Sequence, residues 1–269
     1  MAFKKKSSTH AFASDPAALF KTFTKREFQD VMPHQKEVLE TFTHDFADKP
    51  DVALQLPTGS GKTLVGLLIA DWQRRKNNFR AVYLCPNHQL VNQTVLQATT
   101  SYGMDVVNLA GSKDYMDPND KAAFLTGSKI AVSTYSGLFN TNPFFSDPDL
   151  ILIDDAHAAE NYISGMWSLH IEAGTPLHSS LAEFLRSHID AQSHARLTGD
   201  WEGIADATWV DKLPTPVVKY IKDELCSIID SFALRDQPNL YFPWSLIRDH
   251  IDGCHVYLGS REILIRPII

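Results

Sequence analysis

The residues with the clearest chemical potential form one short run, LPTGSGKT, at Leu56–Thr63. This run follows the apolar residues Val52–Leu56 and precedes the apolar residues Leu64–Ile69. A strand that enters a glycine-bearing turn and continues into a helix is the geometry of a phosphate-binding P-loop. The turn points backbone N–H groups at phosphate oxygens, and the helix N-terminus adds partial positive charge. The run therefore predicts a site for a nucleoside triphosphate.

Two residues of this run have separate expected roles. Lys62 reaches the β- and γ-phosphates, and the Thr63 hydroxyl is a ligand for Mg²⁺. The expected nucleotide-binding residues are those of the whole turn: Pro57, Thr58, Gly59, Ser60, Gly61, Lys62 and Thr63. Leu56 departs from the usual pattern, which begins with Gly or Ala. The alternative is a chance Gly-Ser-Gly turn, and the flanking strand and helix signals argue against it.

A second run of chemically active residues is DLILIDD, at Asp149–Asp155. Its apolar centre is typical of a buried parallel strand, and acids at the carboxyl end of such a strand lie where open α/β sheets bind ligands. Asp154 is then expected to hold Mg²⁺, and Asp155 to orient or deprotonate the attacking water. An acidic turn that only caps the next helix is the alternative. The P-loop upstream favours the functional interpretation.

The residues Asp154-Asp155-Ala156-His157 resemble the D-E-x-H motif of superfamily 2 DEAD/DEAH-type helicases. The resemblance extends from about Val31 to Glu160 and implies that His157 belongs to the catalytic set. Other segments resemble further motifs of that family: Gln35 the motif that reads adenine, Leu84–Gln93 motif Ia, Gly111 a glycine motif and Ser133–Gly137 motif Ib. By that resemblance the nucleic-acid contacts are Pro86, Asn87, His88, Gln93 and Thr134.

The departures from that family also carry information. Asp155 occupies a position that the family gives to Glu, so its carboxylate lies about one methylene further from the attacking water. No S-A-T motif and no arginine-rich final motif follow it before Ile269. We therefore expect the first motor domain without the second RecA-like domain that supplies arginine fingers. Such an arginine contributes on the order of 10³ to 10⁵ in rate, so the chain alone should bind ATP weakly and barely hydrolyse it.

Composition fits a soluble α/β protein, with 44% hydrophobic and 21% charged residues in a chain of 269. No apolar run reaches the length of a membrane span, and Lys4–Lys6 precede polar residues rather than the apolar segment of a signal peptide. Three widely spaced cysteines argue against a disulfide framework and favour the cytoplasm. Only Cys85 lies between the P-loop and the acidic motif, so we expect no iron–sulfur cluster of the kind some helicases carry.

The net charge of −7 at first argues against a nucleic-acid partner, but phosphate affinity depends on local Lys and Arg and not on the total charge. Motifs Ia and Ib offer mainly neutral donors, which contact the sugar–phosphate chain without reading sequence. The partner is therefore DNA or RNA, bound weakly by this chain alone. Lys4–Lys6 are interpreted as part of a solvated tail.

The elements that must position these residues follow from periodicity. Strands are predicted at Val52–Leu56, Ala81–Cys85, Asp105–Leu109, Ile130–Ser133 and Leu150–Asp154. The helices between them are predicted at Lys62–Lys76, His88–Tyr102 and Asn119–Leu125. Alternation of this kind gives a parallel sheet. The predicted fold is α/β, a RecA-like P-loop NTPase domain with a central, mostly parallel sheet and a helical insertion after the DDAH motif.

Four regions are predicted along the chain. They are a flexible tail (1–14), the RecA-like ATP-binding domain (15–160), the helical insertion (161–250), and strands that return to the RecA-like domain (251–269). The insertion could guide a single strand, dock a protein partner or be a plain packed subdomain. Two functions remain: the ATP-binding half of a helicase or translocase, or a nucleotide-sensing interaction module in a defence or restriction assembly.

Overall fold

Residues 12–200, 203 and 207–268 are described by a computed structural model. Most of the expected tail, residues 1–11, lies outside the described residues. The chain divides into two compact units, one up to Ala159 and the other from Glu160 onward. Each unit has its own hydrophobic core, and the two cores share no residue.

The first unit alternates helices and strands. Its helices are α1 (Pro16–Lys21), α2 (Pro33–Thr41, continued by a π-helical turn at Phe42–Phe46), α3 (Lys62–Asn77), α4 (His88–Thr100), α5 (Pro118–Leu125) and α6 (Tyr135–Leu138). Its strands are β1 (Ala81–Cys85), β2 (Val106–Asn108), β3 (Ile130–Thr134) and β4 (Leu150–Ile153). Helix α7 (Ala156–Met166) follows β4, and the boundary between the units falls within it.

The strands of the first unit form one parallel sheet in the order β2-β3-β1-β4. All residues of β1 and β3 are buried, which explains the apolar run along β1 and at the start of β3; β3 ends in the buried polar residues Ser133 and Thr134. The register places Cys85 beside Thr134 and Leu84 beside Ile153, so these strands end at one edge of the sheet. The predicted α/β architecture with a central parallel sheet is confirmed.

One predicted strand of this unit is wrong. Val52–Leu56 belongs to neither described sheet, and the side chains of Val52 and Leu54 are 38% and 43% exposed. Apolar sequence alone does not form a strand, because a strand needs a neighbour for its backbone groups. Both edges of β1 are already paired, with β3 and with β4. The outer edge of β4 is unpaired among the described residues, and Ile151 and Ile153 are exposed there.

The second unit is not purely helical. Its strands are β5 (Leu169–Glu172), β6 (Val210–Lys212), β7 (Cys254–Gly259) and β8 (Glu262–Pro267). Its helices are α8 (Pro176–Leu185), α9 (Ala191–Thr198), α10 (Thr215–Asp230) and α11 (Pro238–Ile247). The strands form an antiparallel sheet in the order β5-β8-β7-β6.

This second sheet corrects the expected role of residues 251–269. The predicted hairpin exists as β7 and β8, but it pairs with β5 and β6 instead of returning to the first sheet. The reason is the alternation along β5, where Leu169 and Ile171 are buried with Ile263 and Ile265 of β8. The apolar stripes of the helices cover that same face of the sheet. No described helix of the chain is both long and apolar enough to span a bilayer.

Candidate nucleotide site

The predicted P-loop is an open turn at the start of α3. Gly59 and Gly61 have φ angles of 81° and 80°, a left-handed conformation that glycine adopts without the steric cost of a side chain. Ser60 closes the turn, since its backbone N–H donates to the Pro57 carbonyl at 3.3 Å and its hydroxyl donates there at 2.7 Å. Pro57, Thr58, Gly59 and Lys62 are exposed. The turn is therefore accessible to a ligand.

The N-terminus of α3 has free hydrogen-bond donors. No side chain caps this helix, and the described hydrogen bonds include none from the backbone N–H groups of Lys62, Thr63 and Leu64. Unpaired N–H groups and the positive end of a 16-residue helix together make an anion-binding position.

Gln35 lies against this turn and fixes its shape. Its side-chain Nε2 donates to the Ser60 carbonyl at 2.8 Å, and its Oε1 accepts from the Met32 N–H at 2.9 Å. A Cβ added to Gly61 would lie 2.3 Å from that Nε2, so alanine at this position would displace the Gln35 side chain from the turn. Gln35 is buried, at 4% exposure. Its expected contact with adenine stays a prediction, while its contact with the P-loop is direct.

The two acids follow β4. The Asp154 N–H donates to the Leu84 carbonyl at 2.9 Å, which extends the β4–β1 ladder by one residue. Asp155 has a φ of 58°, a left-handed conformation rare for a residue with a side chain. Its Oδ1 accepts from the Ala158 N–H at 3.3 Å, so Asp155 caps α7. This is the capping role that the alternative interpretation of the acidic turn gave it. His157 is exposed on the first turn of α7.

The P-loop and the acids meet at the same edge of the sheet. Burial and the charge of Asp155 raise the pKa of Asp154, and the nearby Lys62 ammonium partly offsets that rise. Lys62 and Asp154 are 92 positions apart in the sequence (154 − 62), yet they interact electrostatically. Such a perturbed carboxyl in an open site is typical of functional residues.

Two tyrosines of the site escaped the sequence analysis. The Tyr135 hydroxyl donates to the backbone carbonyls of Asp154 and of Asp155, the latter at 3.0 Å, and its side chain is buried. Tyr83, in the middle of β1, is 3% exposed, and its ring packs against Gly66 of α3. Burial raises the pKa of both hydroxyls, so both stay protonated donors. A hydroxyl inside an otherwise apolar strand was the available signal for Tyr83.

The predicted nucleic-acid residues lie at the ends of β1 and β3. Asn87 caps α4 through its Oδ1, which accepts from the Leu90 N–H at 3.0 Å, and His88 and Gln93 are exposed on that helix. Pro86 is partly exposed, whereas Thr134 is 3% exposed. Thr134 therefore presents little surface to a ligand in this conformation.

Next to these residues is a polar pocket of about 340 Å³. Its lining includes Ser112, Lys113, Ser136, Asn140 and Asn142. Lys113 is held over it by a 2.6 Å hydrogen bond from its Nζ to Asn142 Oδ1. Sequence reasoning missed this lysine because it lies in a loop outside the motifs.

A family model described as DEAD/DEAH box helicase matches residues 32–172, just over half of the chain. The chain belongs to the DEAD/DEAH box helicase family. No curated protein and no solved structure matches it. The expected resemblance and the RecA-like fold are thereby confirmed, and the match covers Gln35, the P-loop and both acids.

DEAD/DEAH box helicases use ATP and Mg²⁺, and the residues present fit that cation. Thr63 would contribute a hydroxyl oxygen and Asp154 a carboxylate oxygen, which are the hard ligands that Mg²⁺ prefers. Among the described residues, no group of three His, Cys, Asp or Glu side chains could hold a metal by itself.

Proposed function

We propose that the first unit binds ATP with Mg²⁺ and serves as the ATP-binding half of a nucleic-acid-dependent helicase or translocase. The observation that carries this proposal is the meeting of Lys62, at the N-terminus of α3, with Asp154, at the end of β4. A cationic turn and a carboxylate at one edge of a parallel sheet supply both signs of charge that a magnesium triphosphate requires.

Different residues of the site bind the phosphates, hold the turn in shape and orient the attacking water. Lys62 and the free N–H groups of α3 bind the phosphate oxygens, and Gln35 keeps the turn in shape. The bound Mg²⁺ neutralises charge on the phosphates when present. Asp155 orients the attacking water, although its Oδ1 also caps α7. Because this carboxylate is short and partly engaged, water is positioned less firmly than by a free glutamate, and hydrolysis is slow.

The arginines of the first unit support the need for a second domain. Residues 12–159 contain four arginines, and all of them bind elsewhere. Arg26 donates to backbone carbonyls, Arg74 and Arg75 pair with Asp71, and Arg80 pairs with Asp149. We propose that the arginine that stabilises the charge of the transition state comes from a second RecA-like domain, and that this chain alone hydrolyses ATP barely.

Nucleic acid is proposed to bind across the ends of β1 and β3. Asn87, His88 and Gln93 offer neutral donors there, and Lys113 adds a cation beside the polar pocket. Contacts of this kind reach the sugar–phosphate chain and do not read bases. Affinity is then weak and independent of sequence.

Nucleotide binding is tested with a fluorescent ATP analogue in the presence of Mg²⁺. We expect Lys62→Ala to lose binding at least about 100-fold, since it removes a charge-assisted contact to phosphate, and Lys62 is the single lysine of the turn at residues 56–63. Lys76→Ala is the matched control, because Lys76 lies on the last turn of the same helix and stacks on Trp72. Equal affinity of the Lys62 and Lys76 variants would reject the nucleotide site.

The motor and the nucleotide-sensing module differ in their response to nucleic acid. If the motor proposal holds, single-stranded or duplex nucleic acid stimulates the ATPase of this chain joined to a second RecA-like domain. Lys113→Ala should weaken binding uniformly across sequences and reduce the salt dependence by about one phosphate contact, while the exposed Lys49→Ala should not. An ATPase that is indifferent to nucleic acid would favour the sensing module, with the second unit as its protein-binding part.

A further inference from the structure

Tyr115 is the most exposed of the large hydrophobic residues that the structure describes. It is 91% exposed, in the loop between β2 and α5. A ring that stays in water contributes almost nothing to the hydrophobic core, because that contribution depends on the apolar area removed from water. A single exposed apolar residue is common on protein surfaces and assigns no role by itself. The backbone and the pocket around Tyr115 provide the further evidence.

The loop that carries Tyr115 is anchored at both ends. At its start, the buried Ser133 hydroxyl donates to the Leu109 carbonyl at 2.7 Å. At its end, Met116 is buried, and the Asp117 carboxylate accepts from backbone N–H groups at the N-terminus of α5. The two ends of the loop are therefore fixed by the sheet and by α5.

Within the loop, hydrogen bonds also fix the backbone of the turn at residues 112–115. The Tyr115 N–H donates to the Ser112 carbonyl at 3.0 Å, which closes the four-residue turn. The Lys121 ammonium, on α5, donates to the Lys113 carbonyl. The ring is thus presented to solvent by a backbone that is already ordered, so a ligand that stacks on it needs to order little additional chain.

The same turn lines the polar pocket beside the ends of β1 and β3, and the residues on both sides of Tyr115 belong to that lining. Lys113 contributes a cation to the pocket, and Asp114 contributes a carboxylate of the opposite charge. Ser136 and Asn140 add a hydroxyl and an amide, which can contact phosphate or sugar oxygens. Because the two charges oppose each other, the pocket attracts phosphate only weakly, and a bound strand needs another source of affinity.

A base that stacks on an aromatic ring supplies affinity that does not depend on charge. Each stacked base strengthens binding roughly 5- to 150-fold, and it does so without sequence preference, because every base has an aromatic face. Bases inside a duplex are covered on both faces by their neighbours, whereas the bases of a single strand can unstack onto a side chain. An exposed ring beside a pocket suited to the sugar–phosphate chain therefore fits a single strand.

We propose that Tyr115 stacks on an unpaired base, so that the nucleic acid bound at this surface is single-stranded. This inference rests on the proposed function, because it names the form of nucleic acid at the surface already assigned to it. The proposed contacts of Asn87, His88 and Gln93 reach only the sugar–phosphate chain, which single strands and duplexes both present. Tyr115 is then the residue that distinguishes the two forms.

The test compares Tyr115→Ala with the parent chain in binding two fluorescent strands, measured by anisotropy at low salt. One strand is an oligothymidine of about 20 nucleotides, and the other is an abasic strand of the same length. We expect Tyr115→Ala to weaken oligothymidine binding about tenfold and to leave abasic-strand binding unchanged. Tyr115→Phe keeps the ring and should bind both strands like the parent. Tyr220→Ala is the control, since Tyr220 is 81% exposed on α10 and belongs to the second unit.

An equal loss on both strands would overturn the inference, because Tyr115 would then contact the backbone or only support the turn. Unchanged oligothymidine affinity would overturn it too, as would a loss in Tyr115→Phe as large as that in Tyr115→Ala. If the parent binds neither strand, the nucleic-acid part of the proposed function fails and the inference falls with it, while binding of the ATP analogue reports on the nucleotide site separately. Urea unfolding of Tyr115→Ala should match that of the parent, since the exposed ring adds nothing to the core.

Discussion

Alanine substitutions at two glycines of the P-loop should distinguish the cost of backbone strain from the cost of a side-chain clash. Gly59 and Gly61 have nearly the same left-handed φ, but a Cβ at Gly59 would meet nothing within 4 Å. A Cβ at Gly61 would meet Gln35 Nε2 at 2.3 Å. We expect Gly59→Ala to cost about 1 to 2 kcal/mol of unfolding free energy through strain alone. Gly61→Ala should cost clearly more, because it also breaks the Gln35 contact with the P-loop.

Urea unfolding of the two glycine variants checks this difference. A double variant, Gly61→Ala with Gln35→Ala, provides the control. If the contact is the extra cost, alanine at both positions should cost less than the two single changes added together. Equal costs for Gly59→Ala and Gly61→Ala would show that the contact of Gln35 with the P-loop contributes nothing to the unfolding free energy.

We expect His178 to make the second unit sensitive to mild acid. It is 4% exposed on α8, burial lowers its pKa, and its Nε2 has no hydrogen-bond partner among the described residues. Below about pH 6.5 the unfolded chain binds a proton that the folded chain resists, so folding stability falls with falling pH. The slope from this one group is at most about 1.4 kcal/mol per pH unit.

The measurement is the urea-unfolding free energy between pH 7.5 and pH 5.5. His178→Leu should flatten the pH dependence, because no titrating group remains in the buried position. His44→Gln removes an exposed histidine and should leave the dependence as it is. A His178→Leu protein with the slope of the parent would contradict the expected burial cost.

At the scale of elements, sequence patterns predicted what local periodicity determines. Strand β1 was predicted to the residue and α3 to within one residue, because a buried run and a helical stripe are both properties of the segment itself. The strand predicted at Val52–Leu56 was wrong because a strand also depends on a neighbouring strand, which the sequence of the segment does not specify. Strand β6 was missed because it is exposed throughout and has no apolar pattern, whereas β5 alternates over only four residues, too few to distinguish a strand from its surroundings.

The candidate site divides in the same way. Lys62, Thr63 and Asp154 were predicted from spacing, because the P-loop and the strand-end acids are local motifs. The orientation of Gln35 toward Ser60 and the place of Tyr83 under Gly66 depend on how separate elements pack. No pattern within either segment carries that information.

Unpaired backbone predicts fast amide exchange in two elements. Val52–Leu56 makes none of the described backbone hydrogen bonds. The Leu150 N–H donates to the Arg80 carbonyl, just before β1, and the Asp154 N–H, just after β4, donates to the Leu84 carbonyl. Alternation therefore places the N–H groups of Ile151 and Ile153 at the free edge. We expect these edge amides and the Val52–Leu56 segment to exchange near the unprotected rate, with β1 amides protected.

Hydrogen exchange followed by NMR resolves these amides one by one. Leu152 is the internal control, because it lies in the same strand and its N–H faces β1 by the same alternation. Protection of Ile151 and Ile153 equal to that of Leu152 would contradict the free edge. It would mean that another strand pairs there, and a free apolar edge is a known template for such pairing.

At the scale of the whole molecule, nucleotide binding should stabilise one unit and not the other. Every residue of the proposed nucleotide site lies in the unit up to Ala159, and the cores of the two units share no residue. A ligand stabilises what it binds by about 2.7 kcal/mol at a concentration 100 times its Kd. We therefore expect magnesium nucleotide to raise the unfolding transition of the first unit alone.

Pulsed hydrogen exchange with mass spectrometry during urea unfolding reports the units separately, through peptides of β1 and α3 against peptides of β7 and α10. With ligand, protection of the first pair should persist to higher urea, while that of the second pair should not change. Lys62→Ala should cancel the shift and leave both ligand-free transitions in place. If all four peptides instead lose protection together and shift together, the two cores unfold as one cooperative body, and nucleotide binding would stabilise the second unit as strongly as the first.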